Sequence, residues 1–124
     1  EEIEYFETMP IEDGVIPDTV GFEIIDLLEK KSNEFSIYKE YGNSFNKTEC
    51  GNLLKAENVD VVIITGFSAE YCVLSTYRGA LDWDFTPVLL KNGIASNDKE
   101  NLRFVEKISD VVSYKIIGKM LENM

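Results

Sequence analysis

"VDVVIITGFSAEYCVLSTYRGALD", residues 59–82, decides the fold. Its first part, Val59–Thr65, is β-branched almost throughout and apolar on both faces. A strand with one face in water would alternate, so this run reads as a central parallel strand covered by helices on both sides. Gly66 breaks the run. Beyond it Val73, Tyr77, Ala80 and Leu81 recur at the spacing of one apolar helical face. Strand, glycine turn and helix make one βα unit, with Cys72 close to where the helix begins.

Working outward, "DTVGFEIIDLLEKK" places Val20, Ile24, Leu27 and Leu28 at helical spacing and predicts a helix over roughly 19–31. "FSIYKEY" alternates, with Phe35, Ile37 and Lys39 on one face and Ser36 and Tyr38 on the other, as a short strand does. Asn46 and Glu49 have the spacing of a capping box ahead of a short helix carrying Leu53 and Leu54. "FTPVLL" predicts a further strand, with Pro87 at a place that needs no backbone donor. "SNDKENLRFVEKI" repeats the Asn-to-Glu pattern at Asn97 and Glu100 and turns Leu102, Val105 and Ile108 inward. "DVVSYKI" predicts a last short strand, and "IGKMLENM" a final helical turn. Strands alternating with helices define an α/β fold, here three-layer α/β/α with a mainly parallel sheet and right-handed crossovers. Ligands of such sheets bind beyond the carboxyl ends of the strands.

The 124 residues suit a single domain, 1–124, and 44% apolar with 28% charged residues is ordinary globular usage. A net charge of −11 repels a phosphate backbone, and the few basic residues form no stripe, which argues against nucleic acid as a partner. No apolar run approaches the length of a bilayer span, and "EEIEYFETMP" does not resemble a secretory signal. The expectation is a cytoplasmic protein with no membrane partner. Without any histidine, a Ser-His or Cys-His dyad within the chain and a histidine-ligated metal site are excluded. Cys50 and Cys72 are too few for a disulfide scaffold and lack metal-ligand spacing.

Gly66 to Cys72 lies at the carboxyl end of the predicted central strand. A thiol in the first turn of a helix meets free backbone N–H groups and the positive end of the dipole, which favour a thiolate. The same amides can donate to an oxyanion on an attacked carbonyl. A free cysteine is also a common core residue, and Cys50, beside Leu53 and Leu54, has that reading alone. Lys39, at the carboxyl end of its own predicted strand, points toward the same edge of the sheet. There it would favour a thiolate or hold a developing negative charge, or else be a solvated lysine at a strand end.

These residues resemble the signature of the isochorismatase-like cysteine hydrolases. Gly66, Cys72, Val73, Thr76 and Ala80 match the strand, turn, Cys-Val and following Thr and Ala of that family. Lys39, Ser44 and Phe45 of "KEYGNSF" match its upstream lysine motif, and "TPVLLKNGIAS" with "ENL" is similar to the elements that follow. The likeness runs from about Ile16 to the C-terminus. It implies a Rossmann-like fold and a cysteine nucleophile assisted by a lysine and an aspartate, acting on small amides such as nicotinamide or carbamoyl compounds. Carried over, Cys72 is the nucleophile and Lys39 its electrostatic partner. The oxyanion hole is the backbone N–H of Ser68 and Cys72, with a non-proline cis peptide at Phe67–Ser68. Phe67, Glu70 and Tyr71 are the candidates to shape the substrate pocket.

The chain also departs from the family pattern. No apolar strand ending in aspartate precedes Lys39; Asp13, Asp18 and Asp26 have no strand before them, and none is assigned as the base. In the family's sheet order, 3-2-1-4-5-6, two strands would then be absent between "FSIYK" and "VDVVIIT". The expectation is that these residues are the C-terminal two thirds of the domain, joined in the whole protein to an N-terminal segment. Nicotinamidases of the family use a metal held by Asp and His, so a generic amide hydrolase without metal or cofactor ranks ahead of them. Isochorismatases proper lack the cysteine. The expected protein is thus a hydrolase of a small amide or related C–N bond, with a small-molecule substrate and a homo-oligomeric state. A binding module that has lost catalysis and a redox-sensing thiol are the alternatives.

Overall fold

The computed structural model describes residues 31–123. The elements run α1 (Cys50–Ala56), β1 (Val61–Phe67), a π-helical turn (Ala69–Val73), α2 (Leu74–Asp82), β2 (Thr86–Ala95), α3 (Lys99–Lys107), β3 (Val111–Val112) and α4 (Tyr114–Glu122). The three strands form a parallel sheet in the order β1-β2-β3, as expected of an α/β fold in which helices supply the crossovers. The helix predicted over 19–31 lies outside the described residues except for its last position.

Ile64 of β1 and Leu89 of β2 are cross-strand partners, and both are buried with Ala69, Val73, Tyr77, Ile94 and Val105 in one core. Val88 and Leu90, whose side chains alternate to the other face of β2, are only half-buried. A second core gathers Ile37, Phe45, Cys50, Leu54, Ala80 and Phe85, so α1 and the 37–45 segment pack against the far end of α2. Cys50 is fully buried there, in keeping with its reading as a small hydrophobe. Among the described residues no strand pairs with the other side of β1, and no helix is long and apolar enough to cross a membrane.

The position of Pro87 has a physical reason. The N–H of Thr86 donates to Asp60 on the β1 side, and that of Leu89 to Asp110 on the β3 side. Alternation points the Pro87 nitrogen toward β3, two residues before β3 pairing begins at Leu89. No donor is needed there. β2 runs beyond the predicted "FTPVLL". The register with β1 jumps from Ile64–Leu89 to Gly66–Ile94, so residues 90–93 bulge away from β1 within the continuous strand, with Asn92 at φ 65° and Leu90 still paired with Val112 of β3.

Several local expectations differ. Residues 35–39 are not a strand, because a strand needs a ladder partner and the described residues supply none. Their burial still alternates, with Ile37 and Lys39 buried and Ser36, Tyr38 and Glu40 exposed. Asn46 does not cap α1; Thr48 Oγ accepts from the Cys50 N–H instead, at 3.2 Å. At α3 the cap is Asp98, one residue after Asn97, and its carboxylate accepts from the N–H of Glu100 and Asn101. Leu81 (46% exposed) and Ile108 (38%) face solvent rather than the core. The last strand shrinks to Val111–Val112 because Ser113 caps α4, its Oγ accepting from the Ile116 N–H.

Candidate active site

The turn after β1 begins at Gly66, whose φ of 121° is open to glycine and strained for other residues. The following peptide, Phe67–Ser68, is cis. The Ser68 carbonyl then accepts from the N–H of both Tyr71, at 3.0 Å, and Val73, at 3.1 Å. The second bond spans five residues, so the chain winds one wide π turn before α2, a feature often found at functional sites. Ala69 and Val73 anchor that turn in the core. Cys72 lies within it, half-buried, while Phe67 and Tyr71, which precede it, are 52% and 69% exposed.

The 39–45 segment is tied to the same helix. Thr76, one turn beyond Cys72, accepts from the Ser44 N–H at 3.0 Å and lies 3.0 Å from Ser44 Oγ and 3.4 Å from the Gly42 carbonyl. One turn further, the absent side chain of Gly79 leaves the space filled by the Asn43 amide; a Cβ would fall on it. Asn43 in turn accepts from the Phe45 N–H at 2.9 Å. This seats Gly42 over Cys72: a Cβ at Gly42 would stand 3.9 Å from the Cys72 Cα and 3.4 Å from Ser75 Oγ.

Lys39 begins this segment and is only 3% exposed. Its ammonium donates to the carbonyls of Tyr41, at 2.9 Å, and Gly42, at 3.2 Å, which uses two of its three N–H groups. The ion pairs among the described residues involve Lys91 and Lys119, not Lys39. A buried cation held, among the described residues, by carbonyl dipoles beside the glycine that covers Cys72 favours an anion in its vicinity. The solvated strand-end reading of Lys39 is therefore set aside.

Glu70, a candidate to shape the pocket, is held by hydrogen bonds from three neighbours. Ser68 Oγ donates to its Oε1, Ser96 Oγ lies 3.0 and 2.7 Å from its two oxygens, and Asn101 Nδ2 donates to Oε2 at 2.8 Å. Hydrogen bonds from Ser68 first, then Ser96, the backbone and Asn101, hold its pKa down to about 2, against a slight opposing effect of burial. These donors come from the ends of β1 and β2 and the first turn of α3.

The fold and this arrangement define a parallel α/β domain with a thiol at the carboxyl end of a strand. Residues 3–106 match the isochorismatase domain, and the chain belongs to that family. It is 29% identical over 80 residues to the uncharacterized isochorismatase family protein YrdC of Bacillus subtilis, covering 64% of this chain and 43% of that protein. The isochorismatase-like hydrolase of Alkaliphilus metalliredigens superposes with a TM-score of 0.77 at 26% identity, over 84% of this chain and 60% of the other. The N-carbamoylsarcosine amidase of Thermoplasma acidophilum shares the fold, with a TM-score of 0.72 at 19% identity over 90% of this chain and 66% of that one. The chain thus spans less than two thirds of the length of YrdC and of the Alkaliphilus protein.

Of the residues singled out in the sequence, Lys39 donates to the carbonyl of Gly42, a glycine beside the Cys72 backbone, and Ser68 and Cys72 share one turn. Phe67 and Tyr71 are exposed in the stretch that leads to the thiol, and Glu70, partly exposed, is tied to Ser68, Ser96 and Asn101. No three His, Cys, Asp or Glu side chains converge among the described residues. Sequence reasoning gave Thr76 no role beyond its place in the signature, and it missed Gly42, Asn43, Ser96 and Asn101. The spacing of Thr76 and Gly79 from Cys72, one and two helical turns, was the available signal.

Proposed function

We propose that the protein is a cysteine hydrolase of small amides or related C–N bonds. The observation that carries this reading is the buried Lys39 ammonium, without a carboxylate partner among the described residues, placed against the glycine that overlies Cys72. The Cys72 sulfur adds to the substrate carbonyl, and the carbonyl electron pair moves to oxygen, where the N–H groups of Ser68 and Cys72 and the field of Lys39 stabilise it. Collapse of this adduct expels the nitrogen, which leaves with a proton from the general acid, and water then hydrolyses the thioester. The aspartate implied by the family pattern as acid and base is not assigned to a residue of this chain. Exposed Phe67 and Tyr71 form the rim that a small substrate crosses.

The supporting kinship is that of the isochorismatase domain family, whose structural relatives include the hydrolase and the amidase named above. The test is to incubate the full-length protein with a panel of primary amides and N-carbamoyl amino acids, then follow ammonia release and the intact mass after acid quenching. An acyl adduct on the peptide containing Cys72 is expected, lost with ammonia release in Cys72→Ala at unchanged melting temperature. Turnover that survives Cys72→Ala removes the nucleophile assignment.

A further inference from the structure

We propose that Glu70 is a positioning residue that fixes the direction of the Ser68 backbone N–H, and with it the oxyanion hole. This rests on the reading of Cys72 as the nucleophile. Among the described residues the Glu70 carboxylate gathers neutral donors: the Ser68 hydroxyl from its own turn, Ser96 from the residue after β2, and Asn101 from the first turn of α3. Ser96 is itself held, because its Oγ accepts from the Asp98 N–H at 3.0 Å. Asp98 caps α3 with bonds of 2.8 and 3.3 Å to the N–H of Glu100 and Asn101.

Three alternatives are disfavoured by this geometry. With both oxygens engaged, Glu70 is poorly placed to abstract a proton or to grip a substrate. As a cap for α3 it would be redundant, since Asp98 already performs that task. What it adds is the link to Ser68, the residue that follows the cis bond and whose N–H the oxyanion reading uses. The ladder places that link well: Phe67 pairs with Ala95, so Ser68 and Ser96 emerge side by side and one carboxylate can span them. The Ser68 carbonyl is held by the N–H of Tyr71 and Val73 within the π turn, and the carboxylate adds the tie from the Ser68 side chain to the ends of β2 and α3.

A reversible electrophile separates this role from a general structural one. Benzaldehyde adds to a nucleophilic thiol as a thiohemiacetal: the S–C bond forms, the C=O π pair moves to oxygen, and the thiol proton ends on that oxygen without a leaving group. The adduct draws on the oxyanion donors. Iodoacetamide instead alkylates sulfur by displacing iodide and needs no such donors. The experiment measures, on the full-length protein, the rate of Cys72 alkylation by iodoacetamide and the benzaldehyde concentration giving half protection, for the wild type, Glu70→Gln and Asn101→Ala.

Glu70→Gln is expected to raise the half-protecting concentration about tenfold or more, below the roughly hundredfold loss that a displaced or missing donor can cause. Alkylation without aldehyde should change by a smaller factor than protection, because iodoacetamide draws on no oxyanion donor. Asn101→Ala, which leaves the Ser68 contact in place, should shift protection in the same direction by a smaller factor, and it carries the comparison if Glu70→Gln does not fold. Equal protection of wild type and variants overturns the role of Glu70 while the nucleophile reading stands. A parallel loss of alkylation and protection, with a lowered melting temperature, also overturns it in favour of plain structural support. No protection of the wild type removes the oxyanion reading and this inference with it.

Discussion

Thr76→Val tests how the lysine segment is held to the helix that carries the thiol. Valine keeps the shape of threonine and removes only the hydroxyl, which accepts from the Ser44 N–H at 3.0 Å and pairs with Ser44 Oγ at 3.0 Å. Ser44 is buried, so its N–H would be left without a partner, at about 1–3 kcal/mol. Loss of the hydroxyl pair adds about 1 kcal/mol. The sum, about 2–4 kcal/mol, corresponds to a fall in melting temperature of roughly 10 °C for a domain of this size. Trp83, the single tryptophan of the chain, stacks on Phe45 with ring centroids 6.2 Å apart, so its fluorescence in a urea titration reports the core into which the segment packs. Thr76→Ser should stay within about 1 kcal/mol of the wild type. A Thr76→Val protein within about 0.5 kcal/mol of the wild type, the range of ordinary surface changes, would refute the reasoning. The hydroxyl would then not be the tie.

Gly79→Ala drives a Cβ into the Asn43 amide and is expected to cost about 1–3 kcal/mol by overpacking, read in the same titration; a neutral result would mean that Asn43 has another seat. Lys39→Met is expected to lower kcat about 100-fold or more, as loss of an oxyanion-stabilising group does, with a smaller change in KM. An effect on KM alone would remove Lys39 from the chemistry. Glu70 sets an acid limit: its folded pKa, about 2, lies below the ordinary 4.5, so its contribution to stability is complete above about pH 4.5 and is lost as the pH falls toward 2. Glu70→Gln should therefore flatten the decline of melting temperature across that window, and an unchanged slope would place the acid sensitivity elsewhere.

The βα unit at residues 59–82 was legible because two periodicities meet at one glycine, and neither depends on distant residues. Even the alternation at 35–39 survives in the burial of Ile37 and Lys39, though the ladder that would make it a strand has no partner among the described residues. Capping was displaced by one residue at α3, since Asn97 and Asp98 are both good caps and only the path of the loop from Ser96 chooses between them. Leu81 carries a core residue's chemistry at a helix position that faces water. The placing of Cys72 at a strand-to-helix turn needed only local pattern, whereas the surroundings of Glu70 did not. Two of its donors lie 26 and 31 residues away in sequence, brought together by a register jump in β2 that composition does not announce.

That excursion at residues 90–93 acts as a length-absorbing joint. Below it β2 is fixed to β1 by Thr86 through Leu89, and above it by Ile94 and Ala95, so the two ends of the strand are indexed independently. A residue inserted or removed at 91–93, beyond the Leu90–Val112 pair with β3, would alter the bulge while leaving both registers with β1, and the Ser96 that follows, in place. The same change one strand over, in the continuous run Val61–Ile64, would turn every core side chain to the wrong face. Length variation in this fold has a safe address on one strand and none on its neighbour.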